Sequence, residues 1–178
     1  MANEILVKQG TPIVWADTTS YNPALGVVLA RTHQLNVTAL ADSKARQGAK
    51  ADLGATRSKM YAVKTALEFA VAPAAGAAAY IYWSSSPTST AALGNDGNAT
   101  GADLAYKDGE EAEWVKQLDL IGVHVCTNDL GPQVKTVGYF MPPTRWGMPI
   151  VWNEAAQAFA TNVVEMYVAV IPMTDEVQ

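Results

Sequence analysis

One stretch in the middle of the sequence constrains the fold more than any other. From position 61 to 71 the odd positions carry aromatic, β-branched or leucine side chains, whereas the even positions carry alanine, Lys64 and Glu68. A period of two is the spacing of a β-strand whose two faces have different surroundings. Alanine, leucine and glutamate alone would favour a helix, but the alternation and the β-branched and aromatic residues favour a strand.

Short apolar runs separated by turn-forming residues recur along the rest of the chain. Residues 73–76 predict a turn, and residues 77–83 predict a second strand that returns beside the first as a hairpin. Gly10, Thr11 and Pro12 predict a turn between the first two strands. Further strands are predicted at residues 5–7, 13–15, 34–40, 116–126, 134–140, 148–152 and 163–171.

These strands, with no convincing long helix, predict an all-β fold. We expect one domain over residues 1–178, an antiparallel β-sandwich that is jelly-roll-like and has long loops. Residues 1–30 are expected to supply the N-terminal strands and an extended arm. Residues 84–113, rich in Ser, Thr, Gly, Asn and Asp, predict a polar surface loop, within which 108–113 is a loop or one helical turn.

Charge is unevenly distributed along the sequence. Residues 31–64 hold seven basic and two acidic residues, whereas the whole chain has 12 and 17 and a net charge of -5. Residues 41–58 carry much of this positive charge without a clear period, which predicts a long ordered basic loop. Such a loop is either solvated or docks on an acidic surface. The candidate interaction residues are Arg46, Lys50, Arg57 and Lys59.

The sequence shows no pattern typical of catalysis or metal binding. His33, His124 and Cys126 lie in strand-like contexts and are expected to be structural. Residues 95–103 are rich in possible calcium ligands but lack the EF-hand glutamate, so a surface loop is favoured there. We therefore expect no enzyme, no catalytic residue, no cofactor and no metal site.

The sequence also lacks the features of a secreted, membrane-spanning or nucleic-acid-binding protein. The N-terminus lacks the basic start and apolar stretch of a secretory signal, and the longest apolar run, residues 69–83, is too short and too interrupted to span a bilayer. Nucleic acid is disfavoured because the chain is acidic and no aromatic residue lies between Arg31 and Met60. We expect neither a membrane nor a nucleic acid as a partner.

The five tryptophans leave a second functional class open. Trp15, Trp83 and Trp152 lie in apolar strands and are expected in the core. Trp114 and Trp146 are the candidates for exposed aromatic residues, and together they could form a platform for a sugar ring. A carbohydrate- or receptor-binding module is therefore one alternative, with Trp146 as an interaction residue.

Three segments together resemble small virion structural proteins of tailed bacteriophages. They are ARQGAKADLGATRSKMYAVKTALEFAVAPAAG at 45–76, KQLDLIGVHVC at 116–126, and the ending from GMPIVWNEAAQAF to VIPMTDEVQ; the opening MANE is similar too. The resemblance implies a protein made in the host cytoplasm and placed on the capsid surface of the virion. It would be a decoration (cement) protein that contacts the major capsid protein and itself, as a dimer or trimer. A tail, fibre or baseplate component is the other structural interpretation.

Overall fold

The computed structural model describes residues 5–17, 21–22, 29–161 and 166–177. Over these residues the chain is a β-sandwich of two six-stranded sheets, which confirms the predicted fold class. Parts of the predicted N-terminal arm (1–4, 18–20 and 23–28) and of the last predicted strand (163–165) lie outside the described residues.

Twelve strands are present in the described residues: β1 (Ile5–Gln9), β2 (Ile13–Ala16), β3 (His33–Gln34), β4 (Lys44–Gln47), β5 (Ala51–Asp52), β6 (Met60–Leu67), β7 (Ala78–Ser86), β8 (Leu104–Ala105), β9 (Asp119–Val125), β10 (Gln133–Phe140), β11 (Trp146–Glu154) and β12 (Tyr167–Val177). A short helix, α1 (Glu111–Trp114), lies between two 3-10 turns at Asp96–Asn98 and Val115–Gln117.

The first sheet has the order β10-β6-β12-β2-β3, with β1 also pairing with β12. The second has the order β8-β4-β11-β7-β9, with β5 also pairing with β11. Neighbouring strands are antiparallel except β2 and β3, which pair in parallel over two residues.

The core between the sheets follows from the alternation of side chains. On β6, Val63 and Leu67 point inward, and Ile81 and Trp83 do the same from β7. The indoles of Trp15 and Trp83 meet edge to face, with their ring centroids 5.7 Å apart. Large rings of this kind require small neighbours, since close packing leaves no spare volume.

The predicted hairpin between residues 61–71 and 77–83 is wrong, although both strands exist. β6 belongs to the first sheet and β7 to the second. The connection between them crosses from one sheet to the other, and on the way Phe69 forms an isolated bridge with Phe159. Each of these strands has an apolar face. The two faces are buried equally well whether the strands pair side by side in one sheet or lie in two sheets that face each other across the core.

The N-terminal turn and the strand at 34–40 also differ from expectation. β1 and β2 do not reverse at residues 10–12; both run antiparallel to β12, and the Gly10 amide donates to the Pro172 carbonyl at 2.8 Å. Only Gln34 of the 34–40 segment belongs to a strand. Ala39 has φ of 52°, a left-handed conformation that ends the extended run.

Two predicted loops contain regular structure. Residues 41–58 hold β4 and β5, which both pair with β11, so the expectation of an aperiodic loop is wrong there. The predicted surface loop at 84–113 is not wholly a surface loop either. Its first three residues belong to β7 and are buried, and Tyr106 is buried with Met148 and Ile150 against the outer face of the second sheet. No helix in the described part of the chain is long and apolar enough to cross a membrane.

Candidate docking end

Two of the predicted interaction residues are used inside the molecule. The Arg46 Nε donates to Asp103 Oδ1 at 2.6 Å, and the Asp103 side chain is only 3% exposed. The Lys50 ammonium donates to Ser86 Oγ and to the carbonyls of Thr88, Thr90 and Leu93, at 2.7 to 3.2 Å. Partial burial lowers the pKa of Lys50. Both cations therefore attach the segment after β7 to the second sheet.

The uneven charge along the sequence is partly compensated in the fold, because Lys44 and Arg46 pair with carboxylates. Lys44 lies 2.5 Å from Asp108 and 3.3 Å from Glu111, and hydrogen bonds to these carboxylates raise the pKa of Lys44. Together with the pair of Arg46 and Asp103, these contacts join the basic stretch to acidic residues more than 50 positions further along the chain. The net charge of residues 31–64 therefore overstates the positive charge that is exposed.

The remaining candidates, Arg57, Lys59 and Trp146, lie at one end of the sandwich. Lys59 is exposed and immediately precedes β6, and Trp146 is the first residue of β11. A guanidinium nitrogen of Arg57 donates to the Pro143 carbonyl at 3.3 Å, which joins the two segments.

Exposed methionines lie beside these cations. Met141 is 74% exposed and Met60 is 38% exposed, and Met60 is paired with Met173 of β12. Two surface cavities flank residues 57–59. One, of about 330 Å³, reaches Met141 and Pro142, and the other, of about 320 Å³, reaches residues 173–175. We call this surface the docking end and define it by Arg57, Lys59, Met60, Met141, Trp146 and Met173.

Trp146 is less available than the sequence suggested. The Arg145 guanidinium lies over its indole, 4.6 Å from the ring centroid. Asp52 holds that guanidinium through two hydrogen bonds of 2.6 and 2.7 Å, which lower the pKa of Asp52. Because a cation covers one face of the indole, a ligand could stack only on the other.

Beside the docking end, β1 and the last residues of β12 form a two-stranded ribbon. β6 pairs with β12 only as far as Met173, whereas β1 pairs with β12 from residue 173 to residue 177. We call β1 together with residues 173–177 the terminal ribbon. Leu6 and Val7 are 41% and 61% exposed on it. An isolated pair of strands is marginally stable in water, so the terminal ribbon is suited to gaining stability from a partner.

The chemically reactive residues do not form a site. His124 and Cys126 are buried, and His124 Nδ1 lies 2.8 Å from Thr65 Oγ1 between the sheets. The described residues contain no group of three or more His, Cys, Asp or Glu side chains that could hold a metal ion. Trp15 and Trp83 are buried as expected, whereas Trp152 is only partly buried.

The proposed sugar platform is not assembled either. Trp114 packs over the outer face of the second sheet in the cluster that contains Tyr106, and the Lys107 ammonium lies 4.0 Å from its ring centroid. Trp146 lies at the docking end, and no ring contact joins the two indoles.

The sequence analysis did not single out Met60, Met141 and Met173. It also did not single out residues 174–177 of β12, which pair with β1 but not with β6. The run Met141-Pro142-Pro143 does signal exposure, because consecutive prolines end a strand. Comparisons with protein-family models, curated proteins and solved structures give no match for this chain.

Proposed function

We propose that the protein is a structural component of a tailed-phage virion, which decorates and stabilises the capsid through non-covalent contacts with major capsid subunits. The observation that carries this proposal is the docking end. There, the exposed Met60 and Met141 lie beside the cations Arg57 and Lys59, where β6 begins and β10 ends in the sandwich.

The chemistry of this surface suits a protein partner. Methionine is flexible and polarizable, so it adapts to an irregular apolar surface. Arg57 and Lys59 favour carboxylates around that surface and set the orientation of the complex. A cement protein adds such a contact at many equivalent joints, and its resistance to unfolding comes from the sandwich behind it. Closed dimers or trimers are expected where the joint is symmetric.

The proposal is tested by adding the protein back to capsids that lack it. The double variant Lys59→Glu, Met141→Asp changes the sign of one exposed charge and introduces a second charge at the most exposed methionine. We expect it to bind capsids at least about tenfold more weakly than wild type, since like charges and a desolvated carboxylate both oppose docking. Binding is measured by co-sedimentation, and capsid stability by the temperature at which particles release their DNA.

A matched control places the same kinds of change elsewhere. Lys116 is exposed in the 3-10 turn after α1, and Leu130 is 55% exposed in the loop between β9 and β10. The variant Lys116→Glu, Leu130→Asp should bind like wild type. Equal binding by both double variants would show that the docking end is not the contact. If the wild-type protein marks only tails in immunolabelled virions, the capsid assignment is wrong and the tail interpretation takes its place.

A further inference from the structure

Beside the docking end, the last residues of β12 have a neighbouring strand on one side and none on the other in the described part of the chain. On the side facing β1, residues 173–177 are paired throughout. On the opposite side β6 pairs with β12 only up to Met60 and Met173. No strand in the described part of the chain pairs with residues 174–177 on that side. The edge therefore continues past the point where β6 begins.

The direction of the backbone groups on this edge follows from two hydrogen bonds. The Pro172 carbonyl accepts from the Gly10 amide on the β1 side, and the Met173 carbonyl accepts from Ser58 Oγ at 2.9 Å on the β6 side. In an antiparallel strand, the N–H and C=O of one residue point to the same side and alternate residue by residue. The amides and carbonyls of Asp175 and Val177 therefore face the vacant position.

The residues around this vacant strand position carry positive charge, which favours an acidic ligand. Arg57, Ser58 and Lys59 immediately precede β6, and with residues 173–175 of β12 they line the cavity of about 320 Å³. Two cations thus stand beside a free strand edge. The Asp175 carboxylate is the one anionic side chain in this lining, and it is exposed.

We propose that the edge of β12 at Asp175 and Val177 binds an extended segment of a capsid subunit by strand addition, with carboxylate side chains of that segment beside Arg57 and Lys59. Main-chain hydrogen bonds provide the affinity in this kind of recognition, and neighbouring side chains select the partner. The added strand would convert the terminal ribbon into a three-stranded sheet. The identity of the partner rests on the proposed function, whereas the free edge belongs to this chain alone.

The experiment compares Asp175→Pro with Asp175→Ala in the capsid-binding assay. Proline removes the amide that faces the vacant position, while the ladder to β1 uses residues 174 and 176. Asp175→Pro should bind about tenfold more weakly, as expected for a lost hydrogen bond with an unpaired acceptor. Asp175→Ala removes the same carboxylate but keeps the amide, so it should bind at least as well as wild type.

Amide hydrogen exchange on the wild-type protein gives a second readout if Asp175→Pro disturbs the terminal ribbon. The amides of Asp175 and Val177 should exchange at least about tenfold more slowly on capsids than in free protein. Lys59→Gln should weaken binding and reduce its dependence on salt, because it removes a charge beside the incoming segment.

The possible outcomes separate the two proposals. If wild-type protein does not bind capsids, the proposed function fails. If wild-type binds but these two amides exchange as fast as before, strand addition is wrong while decoration stands. If the two amides are protected in concentrated protein without capsids, the occupant is a second copy, and the assignment to a capsid segment is overturned. Unchanged binding by Lys59→Gln would overturn the acidic character of the segment.

Discussion

Lowering the pH from about 7.5 to about 5 should destabilise this protein, because His124 is held neutral in the folded state. Its side chain is completely buried on β9, and Nδ1 lies 2.8 Å from the hydroxyl of Thr65 on β6. Burial, and secondarily the nearby charge of Lys135, lowers the pKa of His124 from 6.5 to about 4. At neutral pH the residue therefore joins the two sheets in its uncharged form.

The sign and size of the effect follow from proton linkage. A folded-state pKa below the unfolded value means that the unfolded chain binds the proton more readily. The contribution of His124 is therefore complete above pH 6.5 and is lost as the pH falls towards 4. Each pH unit in this window costs about 1.4 kcal/mol, so the loss between pH 7.5 and pH 5 is roughly 2 kcal/mol.

Urea unfolding followed by tryptophan fluorescence measures this loss. The variant His124→Gln should be less stable at every pH but should lack roughly 2 kcal/mol of the pH dependence. The pKa of His33 is also lowered by burial, and His33→Gln measures the share of that residue. Wild type and both variants have the same carboxyl groups. The contribution of these groups therefore cancels when the pH-dependent losses of unfolding free energy are compared. If wild type and His124→Gln lose the same free energy over this range, the buried neutral histidine is refuted.

Two further substitutions test the packing and the internal role of the cations. A Cβ at Gly147 would come within 2.4 Å of the Trp83 indole, so Gly147→Ala should cost roughly 1–3 kcal/mol in urea unfolding. Gly131→Ala is the control: it lies in a partly exposed bend where a Cβ meets no atom closer than 3.7 Å, and it should cost less than about 0.5 kcal/mol. Lys50→Met should cost roughly 1–3 kcal/mol and speed amide exchange in residues 86–93, since their carbonyls lose a shared donor. Unchanged exchange in that loop would show that Lys50 does not hold it.

Much of the β-sandwich could be predicted from local patterns. The alternation in residues 61–71 identified β6, and the apolar runs identified the strands that became β2, β7, β9, β10 and β11. This succeeds because a strand buried on one face must place apolar side chains at every second position, whatever its neighbour is. β4 was missed because its buried positions are Ala45 and Gln47, which alternate with Lys44 and Arg46 but are weakly apolar.

The candidate site was predictable only in part. Arg57, Lys59 and Trp146 do lie at one end of the sandwich, but Arg46 and Lys50 are occupied by partners that lie 57 and 36 to 43 positions away. An ion pair depends on distance in space, and the chain pattern alone does not contain that distance. The methionines joined the site for the same reason, because Met60 begins β6, Met141 follows β10 and the partly buried Met173 lies within β12.

Local sequence patterns are enough to establish that this chain forms strands and which side chains face the core, since both depend on the two-residue period of a strand. Which strands pair is set by packing between distant segments, and for this reason β6 and β7 face each other across the core instead of forming a hairpin. The tertiary structure also decided which charges remain exposed, and it left β12 longer than the strand beside it. These properties depend on contacts between distant segments, and the unused edge at Asp175 exists because β12 continues past Met60, the residue at which β6 begins.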